Sequence, residues 1–180
     1  MDSGLIPHRY ALALYKYAEE SKSCASVYAE MNNVIGAFRA DSRLEKILSN
    51  PFVEAADKKK VLLAAAGKNP GNDFNRFVTL IIDHHREEFA YLMAIAYRDI
   101  YRKKNHIAEV TITTAASLPD SEINKLKSVV GNAFKGMSFE YVCKVDPSII
   151  GGFVIDVDST RMDASISSEL EQLRQNLTTN

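Results

Sequence analysis

No apolar run in this chain approaches the length of a bilayer. Runs such as Val61 to Ala66 fall far short of the roughly 20 residues that a spanning helix needs. The N-terminus has no basic region followed by an apolar run and a cleavage site, and no Arg-rich, acid-poor transit character. Both absences predict a cytoplasmic protein that meets a membrane only through partners. Cysteine is scarce as well. Cys24 and Cys143 lie far apart and form no CxxC or CxxH pair, which argues against a disulfide or zinc framework and predicts two free, mostly buried thiols. Net charge is also lacking: 22 basic side chains against 23 acidic ones leave −1. Composition therefore offers no case for a nucleic-acid or anionic-membrane partner.

Catalytic motifs are missing too. Gly151-Gly152 is a lone pair without GxGxxG spacing or a GK[ST] ending, so it reads as a bend or close backbone approach entering a strand. His84-His85 closes a helix. Adjacent helical side chains point about 100° apart, so both imidazoles cannot ligate one metal, and HExxH spacing is absent. A solvated helix cap is the expected role. Lys58-Lys59-Lys60, Arg98 and Arg102-Lys103-Lys104 are short basic patches balanced by acids, and they read as solvated faces. No serine, cysteine or threonine sits in a nucleophile motif. No catalytic residue, cofactor-binding residue or metal ligand is assigned, and the chain is expected not to be an enzyme.

What is present is helical periodicity. Ala11, Leu14, Tyr15 and Ala18 recur at helical spacing, followed by Val27, Met31, Val34, Ile35 and Phe38. Leu44, Ile47 and Leu48 mark a short third helix that stops at Asn50-Pro51. A fourth runs from about Glu54 to Ala66 and ends at Gly67, which is free to adopt a left-handed cap. Beyond the turn-rich Lys68 to Asn72, Phe74, Phe77, Val78, Ile81 and Ile82 form a strong stripe. Phe89, Leu92, Met93, Ala96, Tyr97 and Ile100 form another. The period then switches. Ala108, Val110 and Ile112 alternate with polar residues as in a half-buried strand.

Pro119-Asp120 opens a further helix carrying Ile123, Leu126, Val129, Val130, Ala133 and Phe134 on one side. Phe139, Tyr141 and Cys143 suggest a second strand, and Phe153, Ile155 and Val157 a third. Ile166, Leu170, Leu173 and Leu177 form a seam on the last helix. The expected fold is mainly α, with a six-helix N-terminal bundle over residues 1–106 and a small α/β domain over 107–180.

The first helix carries more apolar surface than its seat in a bundle requires. Tyr10, Ala13, Leu14 and Tyr17 form a second stripe beside the core-facing one. Two readings stand: a wide buried face, or an exposed groove for another protein's amphipathic helix. In the second, small Ala13 permits close approach and the tyrosines act as anchors.

Four segments in order resemble the ATP synthase delta subunit family, which includes the mitochondrial oligomycin-sensitivity-conferring protein. They are Arg9 to Tyr15, Phe74 to Arg86, the strand at Ala108 to Thr114 with the Leu118-Pro119-Asp120 helix start, and the signature Val145-Asp146-Pro147-Ser148-Ile149-Ile150-Gly151-Gly152-Phe153-Val154-Ile155. Asp83-His84-His85-Arg86, Asp158-Ser159 and Ala164 to Ser168 depart from the family's usual steps, and the last helix is less basic.

The resemblance implies a non-catalytic stator subunit of the rotary proton-translocating ATP synthase, one copy per complex, at the cytoplasmic face of the bacterial inner membrane. It also implies that the first and fifth helices form a groove for the N-terminal helix of an alpha subunit, pointing to Tyr10, Ala13, Leu14, Tyr17, Arg76, Phe77 and Leu80. The C-terminal domain is implied to hold the C-terminal end of the b-subunit stalk. Leu170, Leu173 and Leu177 either serve that contact or pack under the sheet. The rival classes are a helical nucleic-acid-binding adaptor, disfavoured by neutral charge, and an enzyme using His84, His85 and nearby carboxylates.

Overall fold

The computed structural model describes residues 4–133, 136–158 and 160–178. Phe134 and Ser159, named above, lie outside them. The chain divides into two units between Arg102 and Lys103.

The first unit carries α1 (Leu5–Glu20), α2 (Cys24–Ala40), α3 (Arg43–Ser49), α4 (Ala55–Ala66), α5 (Asn72–Asp83) and α6 (Ala90–Lys104). A 3-10 turn at Glu87–Phe89 interrupts the series before α6. The first unit thus has six α-helices, and this turn takes Phe89 out of α6; the other two α-helices among the described residues belong to the second unit. α3 stops as anticipated: Asn50 turns extended at ψ 120° ahead of Pro51, whose ring excludes a helical neighbour. The core joins Leu14 and Tyr15 of α1, Met31 and Val34 of α2, Leu48 and Leu62, Phe74 and Ile81 of α5, and Met93 of α6. Tyr97 is fully buried, and its hydroxyl donates to the carbonyl of Cys24 at 3.2 Å, so the core carries no orphaned phenol there. Leu92 is instead exposed.

Gly67 does not form the expected left-handed cap. It takes φ 131° and ψ −172°, while Asn33 Nδ2 donates to the carbonyl of Ala66 at 2.8 Å. A side chain from α2 supplies the donor for that last carbonyl, so the backbone leaves α4 directly. α5 is closed differently. His85 sits at φ 52°, His85 N donates to Ile82 O at 2.9 Å, and Arg86 N donates to Ile81 O at 2.7 Å. This is the paired bonding of a Schellman end with histidine in the place that glycine usually fills.

The second unit holds β1 (Ile107–Thr114), α7 (Asp120–Ala133), β2 (Ser138–Val145), a 3-10 turn (Pro147–Ile149), β3 (Gly152–Val157), β4 (Thr160–Ser165) and α8 (Ile166–Thr178). The sheet order is β2-β1-β3-β4, with β1 parallel to β2 and the other pairs antiparallel. The parallel pair requires a long crossover, which α7 supplies. Ala108, Val110 and Ile112 of β1 pack with Val130 of α7 and with Ile155 and Val157 of β3.

Four strands stand where three were expected. β4 escaped the pattern because it is an edge strand, exposed over Thr160 to Ala164, with no apolar face to alternate. Two burial expectations also fail: Val129 is exposed on α7, and Cys143 is exposed on edge strand β2. The α8 seam, for which two readings were open, faces solvent. Cys24 is half-buried. No helix among the described residues is long and apolar enough to cross a membrane.

Candidate partner-binding groove

α1 seats Ala11, Leu14, Tyr15 and Ala18 in the core, which turns Tyr10, Ala13 and Tyr17 toward α5. α5 buries Phe74, Val78 and Ile81 and leaves Arg76 and Leu80 at the same seam. A groove of about 440 Å³ lies between them, lined by Tyr10, Ala13, Leu14, Tyr17, Arg76, Phe77 and Leu80, together with Asp73. All seven residues named from the sequence therefore lie in one hollow. Leu14 and Phe77 form its floor, being 4% and 7% exposed, and they serve the core as well. Tyr17 and Leu80 stand at 39% and 44% exposure, so the groove presents apolar surface to solvent.

Polar contacts fix its walls. The Arg76 guanidinium donates through Nη1 to the Tyr17 phenol oxygen. The Tyr10 hydroxyl and His84 Nδ1 lie 2.9 Å apart in a hydrogen bond, with their rings nearly perpendicular at 6.3 Å. The Asp73 carboxylate accepts from the hydroxyls of Ser21 and Ser23, both at 2.6 Å, and these bonds hold it below the usual carboxylate range. α1 is thus clasped to α5 near both ends of the hollow. The groove runs on into a second depression of about 520 Å³, which shares Tyr10, Ala13 and Leu80 and adds Ile6, Arg9, His84 and Arg86. Its far end is basic. Sequence reasoning missed Asp73 and Arg9 as lining residues, and it gave His84 a capping role or a place in the rival enzyme reading, but none in the groove. The helical spacing of Ile6, Arg9, Tyr10 and Ala13 was the available signal.

Apolar floor, aromatic rims and charged ends are the features of a helix-receiving surface. Among the described residues, no group of three or more His, Cys, Asp or Glu could hold a metal ion.

A second apolar surface lies on α8. Ile166, Leu170, Leu173 and Leu177 are 44%, 51%, 58% and 81% exposed and share one face at helical spacing. Of the two readings left open, packing under the sheet fails for these leucines. The signature segment seats this helix. Asp146 accepts from Ser148 N at 2.9 Å to open the 3-10 turn, and Ile149 is buried. A Cβ on Gly151 would lie 2.6 Å from Ile166 Cδ1, and one on Gly152 would lie 2.1 Å from the Ala164 carbonyl oxygen. Gly152 is there for close backbone approach, whereas at Gly151 the obstacle is the movable end of the Ile166 side chain. Ser165 then caps α8, accepting from Ser168 N at 3.3 Å.

The family model described as ATP synthase delta (OSCP) subunit matches residues 6–177. The chain belongs to that family. The ATP synthase subunit delta of Phocaeicola vulgatus is 32% identical over 173 residues, covering 96% of this chain and 93% of its own. That of Bacteroides fragilis is 34% identical over 178 residues, covering 97% and 95%. A chain in the cryo-EM structure of the Toxoplasma gondii mitochondrial ATP synthase hexamer shares the fold, with a TM-score of 0.70 over 96% of this chain and 97% of that one. Its 19% identity limits that likeness to architecture. As a delta-family chain, the protein presents its α1/α5 groove and its α8 seam as two separate apolar surfaces.

Proposed function

We propose that the chain is the non-catalytic stator subunit of a rotary, proton-translocating ATP synthase, one copy per complex. Residues 1–106 grip the catalytic head, and residues 107–180 grip the peripheral stalk. The observation that carries this reading is the α1/α5 groove, whose floor of Leu14 and Phe77 and rims of Tyr10, Tyr17 and Leu80 suit an amphipathic helix. The occupant is the N-terminal helix of an alpha subunit. The exposed α8 leucines take the C-terminal end of the b-subunit stalk.

The mechanism is mechanical. The head would turn with the rotor unless a static link held it, and torque then could not drive ATP formation. Such a link favours helix-in-groove interfaces of roughly 1,200–2,000 Å² with slow dissociation. The protein sits at the cytoplasmic face of the bacterial inner membrane and reaches the bilayer only through its partners. The test is calorimetric titration of the chain with a peptide from the N-terminus of the alpha chain. Saturable one-to-one binding, weakened by Tyr10→Ala, supports the reading; an absence of binding removes it.

A further inference from the structure

The backbone between the 3-10 turn of the second unit and β3 takes a form that its sequence resists. Ile150 stands at φ 67° and ψ −43°, and Gly151 N donates to Ile149 O at 2.7 Å across it. This is a three-residue γ-turn of the rare, strained hand. A β-branched residue at positive φ is an outlier there, where glycine would sit freely. Burial does not account for it: Ile149 is buried, but the Ile150 side chain is 62% exposed. Strain of this kind persists at sites that use it, and here it holds a large apolar side chain out to solvent.

The turn abuts α8. Ile166 N donates to Gly151 O at 3.1 Å, and the 3-10 turn before Ile150 packs on the same helix. Ile150 therefore stands at the head of the exposed seam of Ile166, Leu170, Leu173 and Leu177. That seam runs roughly 16 Å along the helix.

Charge decides what covers this surface. Residues 107–180 carry 10 Asp and Glu against 6 Lys and Arg, a net −4. On α8, Glu169 and Glu171 outnumber Arg174, which is paired with Glu171 at 3.9 Å. Asp146 and Asp163 lie on either side of the γ-turn in sequence. Hydrogen bonds from Ser148 and Ser165 hold them below the usual carboxylate range, so both stay ionised. Two copies of this unit would repel one another, whereas a basic helix would be drawn to it.

We propose that Ile150 and the α8 seam form one docking surface for the C-terminal end of the stalk, taken as an amphipathic helix with lysine or arginine beside its apolar stripe. The inference rests on the stalk reading above and adds to it an anchor and the partner's charge. The stripe crosses the α8 leucines and ends on Ile150. The turn and the stiff branched side chain fix that anchor before binding, so little order is lost there on association.

The test is calorimetric titration of the full chain with a peptide comprising the last helix of the b chain. A second peptide has glutamine in place of its lysines and arginines. Ile150→Gly relaxes the turn, so its urea midpoint should equal or exceed the parent's while binding weakens about tenfold. Ile150→Val keeps a branched apolar side chain and should bind within about threefold of the parent. The glutamine peptide should bind the parent about tenfold more weakly. A parent chain that binds neither peptide removes the stalk reading itself, and this inference with it. Binding by the parent that Ile150→Gly leaves unchanged overturns the role of Ile150 while the stalk reading stands. Equal affinity for the two peptides overturns the basic partner. A lowered urea midpoint in Ile150→Gly would mean that the side chain serves the fold. A dimer in sedimentation that Ile150→Gly dissolves would assign the face to a second copy. Either of these last results also overturns the proposal.

Discussion

The Tyr10 hydroxyl of α1 and Nδ1 of His84, the residue that closes α5, form a 2.9 Å hydrogen bond across one end of the groove. The Tyr17 phenol and the Arg76 guanidinium make the matching clasp farther along. Each tyrosine therefore has two roles: its ring forms the rim and its hydroxyl sets the spacing of the helices. Tyr10→Ala removes both and should weaken binding of an alpha N-terminal peptide by about 1–4 kcal/mol, the range for an aromatic anchor. Tyr10→Phe keeps the ring and loses only one exposed hydrogen bond, so its effect should stay below about 1 kcal/mol. Calorimetry on both variants separates the roles. Equal losses would mean that the hydroxyl, and not the ring, carries recognition.

The α8 seam yields a different contrast, between stability and binding. Leu173 is 58% exposed, so Leu173→Glu removes little buried area and should change stability by no more than about 0.5 kcal/mol. If this face grips the stalk, the same change places a charge at an interface core. It should then cost about 2 kcal/mol or more of affinity for a peptide from the stalk's C-terminal end. Denaturation and peptide titration of one preparation give both numbers. A variant that unfolds easily would mean that Leu173 belongs to the fold.

Much of this was legible in the chain, for identifiable reasons. The α1 and α5 stripes were readable because helical periodicity is a local signal, and Phe74, Phe77, Val78, Ile81 and Ile82 repeat it strongly. β1 was readable because its burial alternates without exception from Ile107 to Thr114. β4 was not, because Thr160 to Ala164 is exposed and gives no buried-and-exposed alternation. The clasp of Asp73 to Ser21 and Ser23 joins residues about fifty positions apart, and no periodicity reports such a contact. The α8 leucines show the remaining limit. A stripe in sequence marks a face that needs covering but does not say whether this chain or another covers it.

Glu30 is buried on α2, where Oε1 accepts from Gly71 N at the start of α5 while Oε2 is unpaired. Burial raises its pKa above the ordinary 4.5, the Gly71 bond partly opposes this, and nearby Asp73 adds to the rise. The folded state therefore holds this proton more tightly than the unfolded chain. The stability so gained is full below the unfolded value and is lost as pH rises through the folded one. Glu30→Gln keeps an acceptor for Gly71 and cannot ionise. Its stability relative to the parent should therefore rise as pH climbs above the ordinary carboxylate range, read as the difference in urea midpoints. Parallel pH profiles would show that Glu30 titrates as it does in the unfolded chain.

Two glycines of the second unit should respond in opposite directions to the same substitution. Gly152 sits at φ 74° on β3, and its added Cβ would lie 2.1 Å from the carbonyl oxygen of Ala164 on the paired strand β4. Neither backbone can withdraw without breaking the ladder, so Gly152→Ala combines a left-handed alanine, at about 1–3 kcal/mol, with a clash. Gly131 lies within α7, where an added Cβ meets nothing within 4 Å. Gly131→Ala should stabilise by about 0.5–1 kcal/mol through restored helix propensity. Hydrogen exchange distinguishes local from global effects. Gly152→Ala should lower amide protection across β3, β4 and α8 while leaving α5 unchanged. If α5 loses protection to the same extent, the two units unfold as one, and the clash is felt throughout the chain rather than in its C-terminal unit alone.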